Sequence, residues 1–134
     1  MHAAYVFRVT VRVRSPTPAV TVDPGSATTE LTVRRDAPEP GTDGWLFFRD
    51  TLWRGEVSDP EYARRLATEW LEADDGDDPL AVESVTFSEL RTDEAYYDAL
   101  KGEIGADLEA FNADSVSEVL SKYLGSSIRV TDGT

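Results

Sequence analysis

The chain opens on an alternation. In YVFRVTVRV and the residue after it, Tyr5, Phe7, Val9, Val11 and Val13 fall on one side; Arg8, Thr10, Arg12 and Arg14 fall on the other, joined there by Val6. A period of two residues is the mark of a strand with one buried face. SPTPAVTVDPGS follows, rich in Pro and Ser, and predicts a loop or irregular edge. TTELTVRR alternates again, with Thr29, Leu31 and Val33 opposite Glu30, Thr32 and Arg34, and predicts a second strand antiparallel to the first. DAPEPGTDG then breaks the pattern.

The period changes in WLFFRDTLWRG. Its aromatic content suits a strand, but its spacing suits a short helix: Trp45, Phe48 and Leu52 share one face, and Leu46, Arg49 and Trp53 the next. Asp43 is placed to cap the start and Gly55 to end it in a left-handed conformation. The next helix, over about residues 59–73, carries a Ser58/Glu61 capping box with Pro60 in the first turn. Its apolar stripe is Tyr62, Leu66 and Trp70, flanked by Ala63, Ala67 and Leu71, and Arg65 is spaced to pair with Glu61 and Glu69. EADDGDDP ends it. LAVESVTFSEL predicts a strand, and Thr92 a cap for a long helix with the stripe Tyr97, Leu100, Ile104, Leu108 and Phe111. Gly102 and Gly105 interrupt that helix, each at about 1 kcal/mol against Ala. A Ser115/Glu118 capping box opens a short amphipathic helix that Gly125 closes, SIRVT predicts a last strand, and the tail 132–134 is expected to fray.

Strands and helices mix here without a strict βαβ repeat. The expectation is one α+β domain over residues 1–134, with three to four helices packed on one face of a small, mainly antiparallel sheet.

Charge changes the picture most. The chain has 26 Asp and Glu against 13 Lys and Arg, a net charge of −13, and only Lys101 and Lys122 are lysines. Molar salt shrinks the Debye length to about 3 Å or less, which screens the self-repulsion such a surface carries. The composition therefore predicts a protein adapted to high salt. The charge is also uneven: residues 1–54 carry a net +1 and residues 55–134 a net −14. No apolar run reaches the roughly 18 residues of a membrane helix, and the N-terminus lacks the pattern of a signal peptide. A cytoplasmic location is expected.

Several chemistries are disfavoured. There is no Cys, and the one His is at position 2, in a segment expected to be mobile. That leaves no basis for a Ser-His-Asp or Cys-His arrangement, or for a zinc centre. No phosphate-binding Gly-rich motif is present. Tyr97 and Lys101 have the Tyr-x-x-x-Lys spacing of short-chain dehydrogenases, but the chain is too short for that fold. The acidic turn Glu72–Asp78 fails the EF-hand spacing, because Leu71 would occupy the first ligand position. No cofactor, metal or catalytic residue is assigned.

What remains is aromatic and arginine-rich. Arg8 and Arg12 share a strand face. FFRDTLWRGE brings Phe47, Phe48, Arg49, Trp53 and Arg54 into ten residues. Arginine stacked on an aromatic ring keeps its attraction in salt better than a bare ion pair does. LWRGE at Leu52–Glu56, with WLFFRD upstream and KYLGSSIRV at Lys122–Val130, resembles the haloarchaeal LWR-salt proteins over nearly the whole chain. The resemblance implies a cytoplasmic haloarchaeal protein, marks Leu52, Trp53 and Arg54 as defining positions, and supplies no activity. The leading expectation is a non-enzymatic interaction domain for a protein partner. Its surface would combine Phe47, Phe48, Arg49, Trp53 and Arg54 with Arg8 and Arg12; nucleic acid is disfavoured, because phosphate binding weakens steeply with salt. One alternative is an enzyme acting on a small anionic substrate through carboxylates and Arg. Another is an acidic mimic that sequesters a basic partner.

Overall fold

The alternation of the first strand is realised in a four-stranded sheet. The computed structural model describes residues 1–14, 26–71 and 80–131. The Pro-rich stretch 15–25, the acidic turn 72–79 and the tail 132–134, each assigned a character above, lie outside those residues. Strand β1 (Ala3–Arg14) pairs antiparallel with β2 (Ser26–Asp36) and with β5 (Leu80–Asp93), and β6 (Ile128–Thr131) adds to β5 in parallel. The order is β2-β1-β5-β6. Helices α1 (Phe47–Thr51), α2 (Pro60–Trp70), α3 (Glu94–Ala106) and α4 (Val116–Leu124) accompany this sheet. Strands β3 (Leu52–Trp53) and β4 (Glu56–Val57) form a separate small hairpin. The architecture is α+β, with a mainly antiparallel sheet, as the element order predicts. Among the described residues, no helix is long and apolar enough to cross a membrane.

The two faces of the sheet differ as the pattern requires. Tyr5, Phe7, Val9 and Val11 are buried and join one core with Phe87 and Leu90 of β5 and with the helices. Phe47 packs edge-on against Tyr5 at 4.7 Å between ring centroids, and Trp70 and Phe87 lie 5.1 and 5.5 Å from Phe7. Further along, Phe48 stacks on Phe111 at 5.9 Å, with Trp45 and Tyr123 edge-on around them. Such pairs add roughly 0.5–1.5 kcal/mol each beyond their burial. The other face carries Arg8, Arg12, Glu30, Thr32 and Arg34, all exposed. Val6 is buried there, between its register partners Arg34 and Glu89. Two register shifts in the β1–β5 pairing leave Glu83 and Ser88 as extra residues on β5. Glu83 uses its position to pair with Arg12.

Several local expectations give way to tertiary contacts. The segment after residue 44 is helical only to Thr51, without a side-chain cap, and Asp43 plays no capping part. Asp59, not Ser58, caps α2 through Glu61 and Tyr62 N–H; Ser58 instead donates its backbone N–H and its hydroxyl to Thr51 O. The buried face of α2 centres on Ala63 and Ala67 and leaves Tyr62 exposed under Arg65, while Glu61 pairs with Arg64. In α3 the cap is Asp93 rather than Thr92, whose side chain is buried, and Tyr96 rather than Tyr97 is buried. Tyr97 is half-buried beneath Lys101 Nζ at 4.4 Å. The stripe past Ala106 continues as a 3-10 turn, Leu108–Phe111. Of the Ser115/Glu118 box the Ser115 half forms, with Glu118 N–H donating to Ser115 Oγ at 3.1 Å, while the Glu118 carboxylate accepts from Asp114 N–H.

The N-terminus, expected to be free, is tied to the start of α3. Asp93 accepts from Tyr96 N–H and from His2 N–H, both at 2.8 Å, and lies 3.5 Å from the terminal ammonium. The Tyr96 N–H bond, helped by His2 N–H and the ammonium, holds the Asp93 carboxyl below its ordinary value of 3.8. A lowered folded-state pKa means this stabilisation is complete above that ordinary value and lost as pH falls through the folded one. Asn also caps well, so Asp93→Asn should keep α3 folded at neutral pH. Melting curves from pH 6 downward should show a shallower loss of Tm in the variant below about pH 4; equal slopes would mean that this carboxylate contributes nothing.

Candidate functional site

The LWRG segment folds as it does because α4 needs it. A helix leaves its last four carbonyls without partners. In α4, Ser121 O accepts from Gly125 N–H at 3.1 Å and Leu124 O from Ser127 N–H at 2.9 Å. The other two are met from a distance: Lys122 O accepts from Arg54 N–H at 2.8 Å, and Tyr123 O from Gly55 N–H at 3.0 Å. Arg54 and Gly55 are the two turn residues of the β3–β4 hairpin, both at positive φ, 55° and 81°. Two successive left-handed residues describe the type I′ hairpin turn. Arg is strained there, at roughly 1–2 kcal/mol, and Gly55 is not the helix terminator that the spacing predicted.

The contact is close on both sides. A Cβ on Gly55 would stand 3.0 Å from Leu124 O, and one on Gly125 3.0 Å from Arg54 O. Gly125 has φ 59° and ψ −130°, a conformation reserved for glycine. The backbones of hairpin and helix end therefore interlock. Leu52 anchors the hairpin in the core, and Trp53 turns outward, 44% exposed.

Around Trp53 two cations converge. Arg54 Cζ and Lys122 Nζ each lie 5.9 Å from its ring centroid, and Tyr123 meets the ring edge-on at 5.9 Å. Lys122 Nζ also lies 5.7 Å from the Tyr123 ring and donates to Phe111 O at 2.9 Å and Asn112 O at 3.3 Å. Its ammonium is thereby fixed rather than free to sweep the surface. Trp53, Arg54, Glu118, Ser121 and Lys122 line an open groove of about 530 Å³. Glu118, the carboxylate there, already accepts Asp114 N–H at 2.7 Å. The groove offers an aromatic plate flanked by positive charge, with Trp53 and Arg54 from the near-neutral first part of the chain and Lys122 from the acidic remainder.

The seven residues singled out in the sequence do not form one surface. Phe48 is fully buried, and Phe47 packs on Tyr5 and Phe7. Arg49 is bound to Asp50 at 3.1 Å and reaches Ala110 O at 3.5 Å, bracing α1 against the 3-10 turn. Arg8 and Arg12 lie on the sheet face away from the helices. Only Trp53 and Arg54 stand together in the open. Lys122, Ser121 and Glu118 were missed, although Lys122 is one of two lysines in the chain and begins KYLG.

The interlock has a measurable cost when disturbed. Gly125→Ala and Gly55→Ala are each expected to lower Tm by about 5–10 °C, through about 2–3 kcal/mol of strain and backbone clash. Thermal denaturation followed by circular dichroism reads this directly, and a loss under about 2 °C would mean the turn and helix end are not packed as described.

No curated protein and no solved structure is similar to the chain at a significant level. A family model described as LWR-salt protein matches residues 1–134. Its tripeptide is the segment just described, with Leu52 in the core, Trp53 in the groove and Arg54 in the turn; the chain belongs to the LWR-salt protein family.

Proposed function

We propose that this protein is a small binding domain whose contact surface is the groove of Trp53, Arg54 and Lys122. The carrying observation is that an exposed Trp has two cations each 5.9 Å from its ring centroid, one of them on Arg54, a residue held at positive φ. Strain retained at an exposed position points to use of the side chain. The ligand that fits is a carboxylate beside a flat apolar or aromatic group, as on an acidic, aromatic-bearing segment of a partner protein. Stacking on Trp53 supplies the part of the affinity that salt does not screen, and the cations orient the carboxylate. The acidic remainder of the surface then serves life in molar salt, in the cytoplasm of a salt-adapted cell.

The test is capture from lysate in molar KCl, with captured proteins identified for each bait. The partner should be lost with Trp53→Ala and Lys122→Ala and kept with Arg8→Ala. Arg54→Asn separates stability from binding. It creates the Asn-Gly pair favoured in type I′ turns, so Tm should rise by about 2–5 °C while capture falls. A partner retained equally by Trp53→Ala and Lys122→Ala would return the groove to a purely structural role.

A further inference from the structure

The two sheet edges are unequal. Opposite β2, strand β6 covers only Leu90–Asp93 of β5, and the rest of β5 is broken by two register shifts; β2 has 11 residues, with no Pro, no Lys and no register shift along β1. Edge strands are ordinarily kept short or broken by Pro, Lys or bulges, because an unpaired edge recruits another strand.

Which groups β2 presents follows from its register. Ala37 N–H donates to Ala3 O, continuing the β1–β2 ladder, so the odd-numbered residues of β2 are bonded to β1. The N–H and C=O groups of Thr28, Glu30, Thr32, Arg34 and Asp36 therefore point outward, and they have no partner among the described residues. The side chains of Glu30 and Arg34 likewise have no ion-pair partner there.

The geometry points to a second copy of this chain as the occupant of that edge, pairing β2 antiparallel with itself about a two-fold axis at Thr32. In that register Glu30 faces Arg34 of the other copy, twice over. Thr32 faces Thr32, and Leu31 faces Val33 on the core side. Every hydrogen-bonded pair uses only outward groups. A slip of one residue would offer backbone groups already bonded to β1 and turn the side chains over. A slip of two either sets Glu30 against Asp36 or leaves Glu30 facing Thr32. Charge thus selects one register, and two four-stranded sheets become one continuous sheet. The groove at Trp53 plays no part in this contact.

Sedimentation in molar KCl across a concentration series reads the association. Wild type should dimerise. Glu30→Arg and Arg34→Glu alone should each weaken the dimer about tenfold, by placing like charges opposite at two symmetric sites. The double variant should restore it. Thr32→Pro removes an outward N–H and spares the bonds to β1, so it should give a folded monomer. The chain has no Cys, so single cysteines report the register. Thr32→Cys should form a disulfide dimer on oxidation, since facing residues stand about 5.5 Å apart. Thr28→Cys should not, with its two copies about 27 Å apart. A monomer at every concentration overturns the proposal. So does a dimer indifferent to the charge exchange, or equal crosslinking from both cysteines.

Discussion

Two backbone N–H groups hold the helical layer together. Those of Arg54 and Gly55 complete the carbonyl end of α4, and in doing so they fix where the hairpin lies, where Leu52 enters the core and which way Trp53 faces. Neither partner is self-sufficient. A hairpin with 2 residues in each strand is too small to stand alone, and a helix of 9 residues is marginal in water without tertiary packing. Each supplies what the other lacks, and the strain at Arg54 is offset by satisfying carbonyls that would otherwise lose their partners.

The aromatic side chains form two neighbourhoods that this junction brings together. Tyr5, Phe7, Phe47, Phe87 and Trp70 cover the middle of the sheet; Trp45, Phe48, Phe111 and Tyr123 join α1 to the 3-10 turn and α4. Tyr96 pins the intervening loop by donating to Pro38 O at 2.7 Å, and burial pushes its hydroxyl up to about 12. Basic residues follow the same division. On the sheet face Arg12 pairs with Glu83 and Arg91 with Glu89, while Arg34 has no ion-pair partner among the described residues; Arg54 and Lys122 meet on the helical side. The near-neutral first part of the chain reflects this sheet face as much as the groove.

The strands were legible because a single buried face leaves its period in the residues, and Tyr5 to Val11 carry that period without interruption. The starts of α2, α3 and α4 were readable to within a residue, and that of α1 was not. Ser58 and Asp59 both can cap, as can Thr92 and Asp93; Ser58 is taken by Thr51 O, and the Thr92 side chain is buried in the fold while Asp93 reaches the helix N–H of Tyr96. The LWR segment was misread past Thr51 because nothing local places an Arg at positive φ. The reason lies at Lys122 and Tyr123, far along the chain. The site was half legible for the same cause: Trp53 and Arg54 advertise themselves, but the lysine that completes the groove is brought to them only by the fold.

That distance sets an order on assembly during synthesis. β1, β2 and β5 complete an antiparallel sheet by residue 93, yet the carbonyls that receive the Arg54–Gly55 turn belong to residues 122 and 123, and the strand beside β5 starts at Ile128. A nascent chain emerging from the ribosome thus carries the LWRG hairpin from Val57 until Lys122 and Tyr123 are made without a helix end to dock on. The turn locks only once the end of α4 has been made, so that helix decides when the aromatic core becomes closed to water.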